Sequence, residues 1–149
     1  IEVLLSHGTQ NPSWKESQLW HRDYDDRKMC KLFVYCTDVA SVDDGDFTYI
    51  PHYISDCVRN YFFPKRISDE EMERQGHLKY KKHVFGPAGT AFYINTNACY
   101  HVGRRGPRAH TRLAFTAMYV THASLQPFNN VIDIVHDANP LERMVLRCS

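Results

Sequence analysis

Short runs of sheet-forming residues, each closed by turn residues, constrain this chain more than any other feature. The runs are "IEVLL" (1–5), "SQLWHRDY" (17–24), "CKLFVYCTDV" (30–39), "FTYI" (47–50), "KYKKHVF" (79–85), "TAFYIN" (90–95), "ACYHV" (98–102) and "TRLAFTAMYVT" (111–121). Their β-branched and aromatic residues suit a pleated, half-buried surface. Between them stand "GTQNPS" (8–13), "SVDDGD" (41–46), Pro51 and "GPAG" (86–89), rich in residues that favour turns. One stretch departs from the pattern. In "SDEEMERQG" (68–76), Ser68 stands three before Glu71, a helix-start signature, and Gly76 is a plausible stop. The pattern predicts an all-β fold of about eight strands with one short helical insertion. Eight antiparallel strands in two sheets form the jelly roll, a cupin-like double-stranded β-helix that limits exposed edges. The segment "NVIDIV" (130–135) reads as a further strand or a docking segment.

The 149 residues suffice for one domain with a real core. A net charge of +1 points to neither nucleic acid nor membrane as a partner. No apolar run is long enough to span a bilayer, and no signal peptide is visible. A chain that begins at Ile1 reads as a fragment or a trimmed piece. Its five cysteines are Cys30, Cys36, Cys57, Cys99 and Cys148. The odd count and the lack of a CxxC pair suggest neither a disulfide framework nor a zinc knuckle. Several lie in apolar segments and read as small core residues. This usage favours a reducing, cytoplasmic compartment.

Inside the second run, His21 and Asp23 sit among the large sheet-forming residues Leu19, Trp20 and Tyr24. In a strand, residues i and i+2 point to one side, so Leu19, His21 and Asp23 share a face. Non-haem Fe(II) oxygenases hold their metal with two histidines and one carboxylate, leaving other positions open. His-x-Asp supplies two of these ligands. For the third, the chain offers His7, His52, His77, His83, His101, His110, His122 and His136. His101 is the choice, because it lies in a short apolar strand and precedes the run that carries Arg112. Arg112 shares a strand face with Ala114, Thr116 and Met118. A buried arginine needs an anion, and a planar guanidinium grips a carboxylate through two hydrogen bonds. Taken singly, each feature has a plainer reading. His21 and Asp23 are then a surface pair, His101 a satisfied core histidine, and Arg112 half of a structural ion pair.

The order of His21-x-Asp23, "GPAGT" (86–90), His101 and Arg112 resembles the phytanoyl-CoA dioxygenase family of Fe(II)- and 2-oxoglutarate-dependent oxygenases. The likeness runs through "QLWHRD", "KLFVYCTDV", "DGDFTYIP" and "GPAGTAFYINTNACYHVGRRG", over most of residues 17–121. It implies that His21, Asp23 and His101 bind Fe(II) and that Arg112 holds the distal carboxylate of 2-oxoglutarate. It implies hydroxylation of a small organic substrate with O2, giving succinate and CO2. The carboxylate of Asp23 favours hydroxylation over halogenation, since related halogenases lack it. Where the family reads Gly-Pro-Phe and Pro-Gly-Ser-His, this chain has Gly45-Asp46-Phe47 and Pro51-His52-Tyr53. Gly103 stands where some relatives carry a serine near the cosubstrate. The helices that relatives place before the jelly roll are absent, so the expectation is one jelly-roll domain over 1–149 without its N-terminal supporting helices. Competing readings are a zinc- or manganese-dependent cupin-like domain and a non-catalytic binding module.

Three other features have ordinary explanations. "GRRGPRAHTR" (103–112) is a basic patch or substrate clamp, or more simply a solvated loop. "DDGD" (43–46) lacks the spaced ligands of a calcium loop and reads as a turn. Tyr24, Tyr35, Tyr49 and Tyr93 line a pocket or, as aromatic strand residues commonly do, fill the core.

Overall fold

A computed structural model describes residues 2–7, 16–60, 66–105 and 111–121. Residues 108, 110, 122, 130–136 and 148 lie outside the described residues, and with them the readings made of that tail. Seven strands are present among the described residues: β1 (Glu2–His7), β2 (Met29–Tyr35), β3 (Phe47–Tyr49), β4 (Lys82–Val84), β5 (Ala91–Ile94), β6 (His101–Val102) and β7 (Thr111–Val120). They form two antiparallel sheets, ordered β1-β7-β2-β5 and β4-β3-β6. The chain is thus mostly β, as expected.

The sheets pack inner face to inner face through apolar side chains. In β2, Met29, Phe33 and Tyr35 are buried, as alternation requires of a half-buried strand. Their cross-strand partners on β7 include Thr116 and Ala114, also buried. Phe33, Tyr35 and Ala114 meet Phe47 of the smaller sheet, with Val39, Leu4 and Phe92 around them. The outward phase of the larger sheet carries Cys30, Leu32, Val34, Phe115, Tyr93 and Tyr119, all partly or largely exposed. A second core joins Trp20, Ile50, Ile67, Met72, Tyr100 and Val102.

Among the described residues, two short helices are present where one was expected. The helix α2 (Asp69–Arg74) starts as the sequence predicts, with Ser68 Oγ accepting from Glu71 N at 3.3 Å. Glu71 does not complete a capping box; its carboxylate takes Arg74 and Gln75 instead. Met72 is the helix's buried residue, and it anchors α2 in the second core. The other helix, α1 (His52–Ser55), follows Pro51 directly and was not expected. Proline with its fixed φ suits the residue before a first turn.

The run 17–24 is the main departure from the sequence reading. It is not a strand: a 3-10 turn covers Glu16–Gln18, and only Trp20 and His21 form bridges, to Ile67 and His101. Residues 22–24 carry no regular structure. The segment is instead pinned at both ends by other parts of the chain, which matters for the site below.

The "DDGD" stretch is a turn, as expected. Asp44 Oδ2 accepts from the backbone of Ala40 and Ser41, while Asp46 turns towards His83 and Thr48. Gly45 has φ +78° and lies under Arg104; a Cβ there would come within 2.3 Å of Arg104 Cγ. Both the backbone angle and the close approach call for glycine.

Candidate metal centre

The pair His21–Asp23 and the distant His101 converge. His21 N donates to His101 O at 3.0 Å, and His101 N donates to His21 O at 2.9 Å. This reciprocal pair sets the two imidazoles side by side, with ring centroids 4.3 Å apart. Asp23 is placed by the 95–99 turn: its N–H donates to Thr96 O at 3.0 Å, and Asn97 Nδ2 donates to its carbonyl at 2.9 Å. A strand is therefore not what aligns His21 with Asp23. Two separate tethers do so.

Both imidazoles are fixed in the same way. His21 Nδ1 lies 2.8 Å from Leu19 O, and His101 Nδ1 lies 3.1 Å from Cys99 O. A carbonyl only accepts, so each Nδ1 carries the proton and each Nε2 offers a lone pair. Both Nε2 atoms lie 3.8 Å from Asp23 Oδ1. One ligand atom from each of the three residues lies within 4.8 Å of the others. Metal–nitrogen bonds of about 2.1 Å put adjacent donors about 3 Å apart, which small side-chain rotations reach from here. Imidazoles held by a main-chain carbonyl are the usual outer support of histidine metal ligands. Neutral nitrogen and carboxylate oxygen donors fit a divalent transition metal.

Electrostatics favour the ligating protonation states. Burial lowers His101 to about 4 and also lowers His21, so both are neutral at pH 7. Burial pushes the Asp23 carboxyl up, but nearby cationic groups outweigh it and hold the carboxyl below its usual range. Protonated His101 contributes most to this lowering, followed by Lys31 and a hydrogen bond from Thr96. Lys31 Nζ sits 2.6 Å from Asp23 Oδ2.

The low His101 value has a consequence for stability. An unfolded histidine titrates near 6.5, so below that pH the unfolded chain takes up a proton that the fold refuses. Stability is unaffected by this group above pH 6.5 and falls as pH drops towards 4. By pH 5 the metal-free protein should lose about 2 kcal/mol from this group alone. Urea midpoints at pH 7 and pH 5 measure it, and His101→Gln should flatten the difference.

Arg112 lies on the inner face of β7, with Ala114 and Thr116, as its strand phase predicted. It is 6% exposed. Its Nη1 donates to Gly45 O at 2.6 Å, while its Nε has no partner. No carboxylate among the described residues pairs with it. Burial lowers its pKa. The residue is thus not half of a structural ion pair among those residues. Phe47, two residues past Gly45, stacks its ring on His101 at 5.6 Å.

Among the described residues, no other histidine joins this cluster. His52 pairs with Asp56 at 2.8 Å on the surface, and His83 pairs with Asp46 at 2.8 Å. The backbone of His7 lies in β1, paired with Thr111. At residues 103–105, the basic run is not the solvated loop expected; residues 106–110 lie outside the described residues. Arg104 is buried against Gly45, and Arg105 binds both Asp69 oxygens and Gln18 O. Gly103 donates to Ser17 O. Two cysteines, Cys36 and Cys57, are exposed rather than core, whereas Cys99 is buried. Tyr35 is core, while Tyr24 and Tyr93 are exposed. A cleft of about 800 Å³ beside α2 is lined by Arg59, Arg66, Arg74 and Glu71 among others, and by none of the site residues. Among the described residues, no helix is long and apolar enough to cross a membrane.

No protein-family model and no curated protein matches the chain. Solved structures of HygX from Streptomyces hygroscopicus do. The form with nickel, 2-oxoglutarate and hygromycin B bound is 25% identical, over 68% of this chain and 41% of that one, at a TM-score of 0.40. The form with iron bound is 20% identical, over 80% and 53%, also at 0.40. The apo form is 22% identical, over 78% and 51%, at 0.39. The chain matches only about half the length of these structures or less.

Lys31 was missed in the sequence, although a signal was there. In "MCKLFVY", Met29, Lys31, Phe33 and Tyr35 share one strand phase, and that phase faces inward. A lone cation among three core residues calls for a buried anion.

Proposed function

We propose that this chain is the jelly-roll core of an Fe(II)- and 2-oxoglutarate-dependent dioxygenase, similar to the phytanoyl-CoA dioxygenase family, that hydroxylates a small organic molecule. The convergence of two carbonyl-fixed imidazoles on one carboxylate oxygen carries the reading. The buried guanidinium on the same sheet sandwich supports it, since it lacks a carboxylate among the described residues. His21 Nε2, Asp23 Oδ1 and His101 Nε2 would hold the metal. When bound, iron and 2-oxoglutarate supply the oxidising chemistry, which consumes O2 and yields succinate and CO2.

The protein's own part is binding, orientation and exclusion of water. Three protein ligands on a six-coordinate ion leave positions for a chelating 2-oxo acid and for O2. Arg112 would grip the distal carboxylate through two N–H groups, and Gly45 O orients the guanidinium for it. Phe47 and Phe33, with rings 4.9 Å apart, form a dry wall beside His101. In such a wall, a charge-assisted hydrogen bond gains strength from the low local dielectric.

The test is release of CO2 from 2-oxoglutarate labelled at C1. Release should require both iron and O2 and should vanish in Asp23→Ala. No iron-dependent release, together with tight zinc or manganese binding, would favour the cupin-like alternative. No metal binding at all would leave a binding module.

A further inference from the structure

We infer that Lys31 is a positioning residue that holds Asp23 to a single ligating oxygen, an inference that rests on the metal reading above. Lys31 lies in β2, opposite Met118 of β7 and Ile94 of β5, in the phase that faces the core. Its side chain crosses to the centre, and Nζ reaches Asp23 Oδ2 at 2.6 Å. The other oxygen, Oδ1, is the one equidistant from both Nε2 atoms at 3.8 Å. The two carboxylate oxygens therefore have separate duties: one is engaged by the ammonium and the other faces the histidines.

This division has a coordination consequence. A carboxylate can bind a metal through one oxygen or through both. With both histidines, one-oxygen binding leaves three positions on a six-coordinate ion. A chelating 2-oxo acid takes two of them, and one remains for O2. Two-oxygen binding would remove one of the three. Lys31, by occupying Oδ2, keeps that position open. The ammonium also has a cost, because it repels the incoming cation. A residue that weakens cation binding at a metal centre, yet sits there in a short ion pair, is better explained by control of geometry than by affinity.

The experiment uses the whole chain loaded with Mn(II), with wild type, Lys31→Met and Lys31→Arg compared. Bound water on the ion is counted by water-proton relaxation and by electron–nuclear double resonance. Affinity for 2-oxoglutarate is measured by calorimetry on the loaded protein. In wild type about three waters are expected on a six-coordinate ion, and about two in Lys31→Met. In Lys31→Met the 2-oxoglutarate Kd should rise about tenfold or more, while Mn(II) binding stays within about tenfold of wild type. Lys31→Arg should restore the wild-type water count. If Lys31→Met does not fold, Lys31→Ser, too short to reach Oδ2, decides: about two waters are expected on it, and a wild-type count would overturn the assignment.

An unchanged water count in Lys31→Met would overturn the assignment. So would equal loss of Mn(II) and 2-oxoglutarate affinity, which is what a merely structural ion pair predicts. If wild type binds no metal, the metal reading fails and takes this assignment with it. If wild type binds both and Lys31→Met behaves identically, this assignment alone fails.

Discussion

His101→Ala should weaken divalent-metal binding by roughly a hundredfold or more. Four-ligand structural zinc sites gain about 10–16 kcal/mol, so one ligand is worth roughly 3 kcal/mol. Asp23→Asn should cost as much or more, since it removes the anion while keeping the shape. His83→Ala is the control. Its imidazole is nearer to a carboxylate, 2.8 Å from Asp46, but it stands outside the cluster and should leave metal affinity unchanged. Equilibrium dialysis against Mn(II) or Fe(II) under anaerobic conditions measures all three. The His101 change will also lower stability somewhat, because its ring stacks on Phe47 and fills buried space. Circular dichroism and a urea midpoint on the same samples separate loss of the ligand from loss of the fold.

Arg112→Met should raise the Kd for 2-oxoglutarate by about thirty- to a thousandfold in the metal-loaded protein, the equivalent of about 2–4 kcal/mol for a buried charged pair. Stability should move little, or rise. The metal-free protein buries this guanidinium against one carbonyl and leaves Nε without a partner. Replacing a poorly compensated buried charge with an apolar side chain of similar length is commonly neutral or stabilising. Loss of binding with retained or improved stability distinguishes a ligand-holding arginine from a structural one. Arg112→Lys should recover only part of the affinity, because an ammonium cannot reproduce two parallel hydrogen bonds. Calorimetry with 2-oxoglutarate, beside thermal melts, gives both readings on one preparation.

The sheet-forming runs were legible because alternation of core and surface residues is written directly in β2 and β7. Ser68 and Gly76 marked the bounds of α2 for the same local reason. The convergence of His21, Asp23 and His101 was legible too, but on partly mistaken grounds. His21 and Asp23 were expected to share a strand face; in fact His21 is held by His101 and Asp23 by Thr96 and Asn97. Those tethers run over distances of 73 to 80 positions, which local spacing does not encode. Arg104 was read as a loop cation because its run is basic. Its burial depends on the missing side chain at Gly45, some 59 positions away. Lys31 was missed because a lysine in a strand reads as surface until its phase is compared with Phe33 and Tyr35.

The central claim, that His21, Asp23 and His101 hold one iron that accepts a 2-oxo acid, is tested most directly by anaerobic titration. Fe(II) is added first and 2-oxoglutarate second, and the visible spectrum is followed. A weak charge-transfer band should appear only after both additions and should be absent in His101→Ala. No band with both present, or the same band in His101→Ala, would contradict the claim.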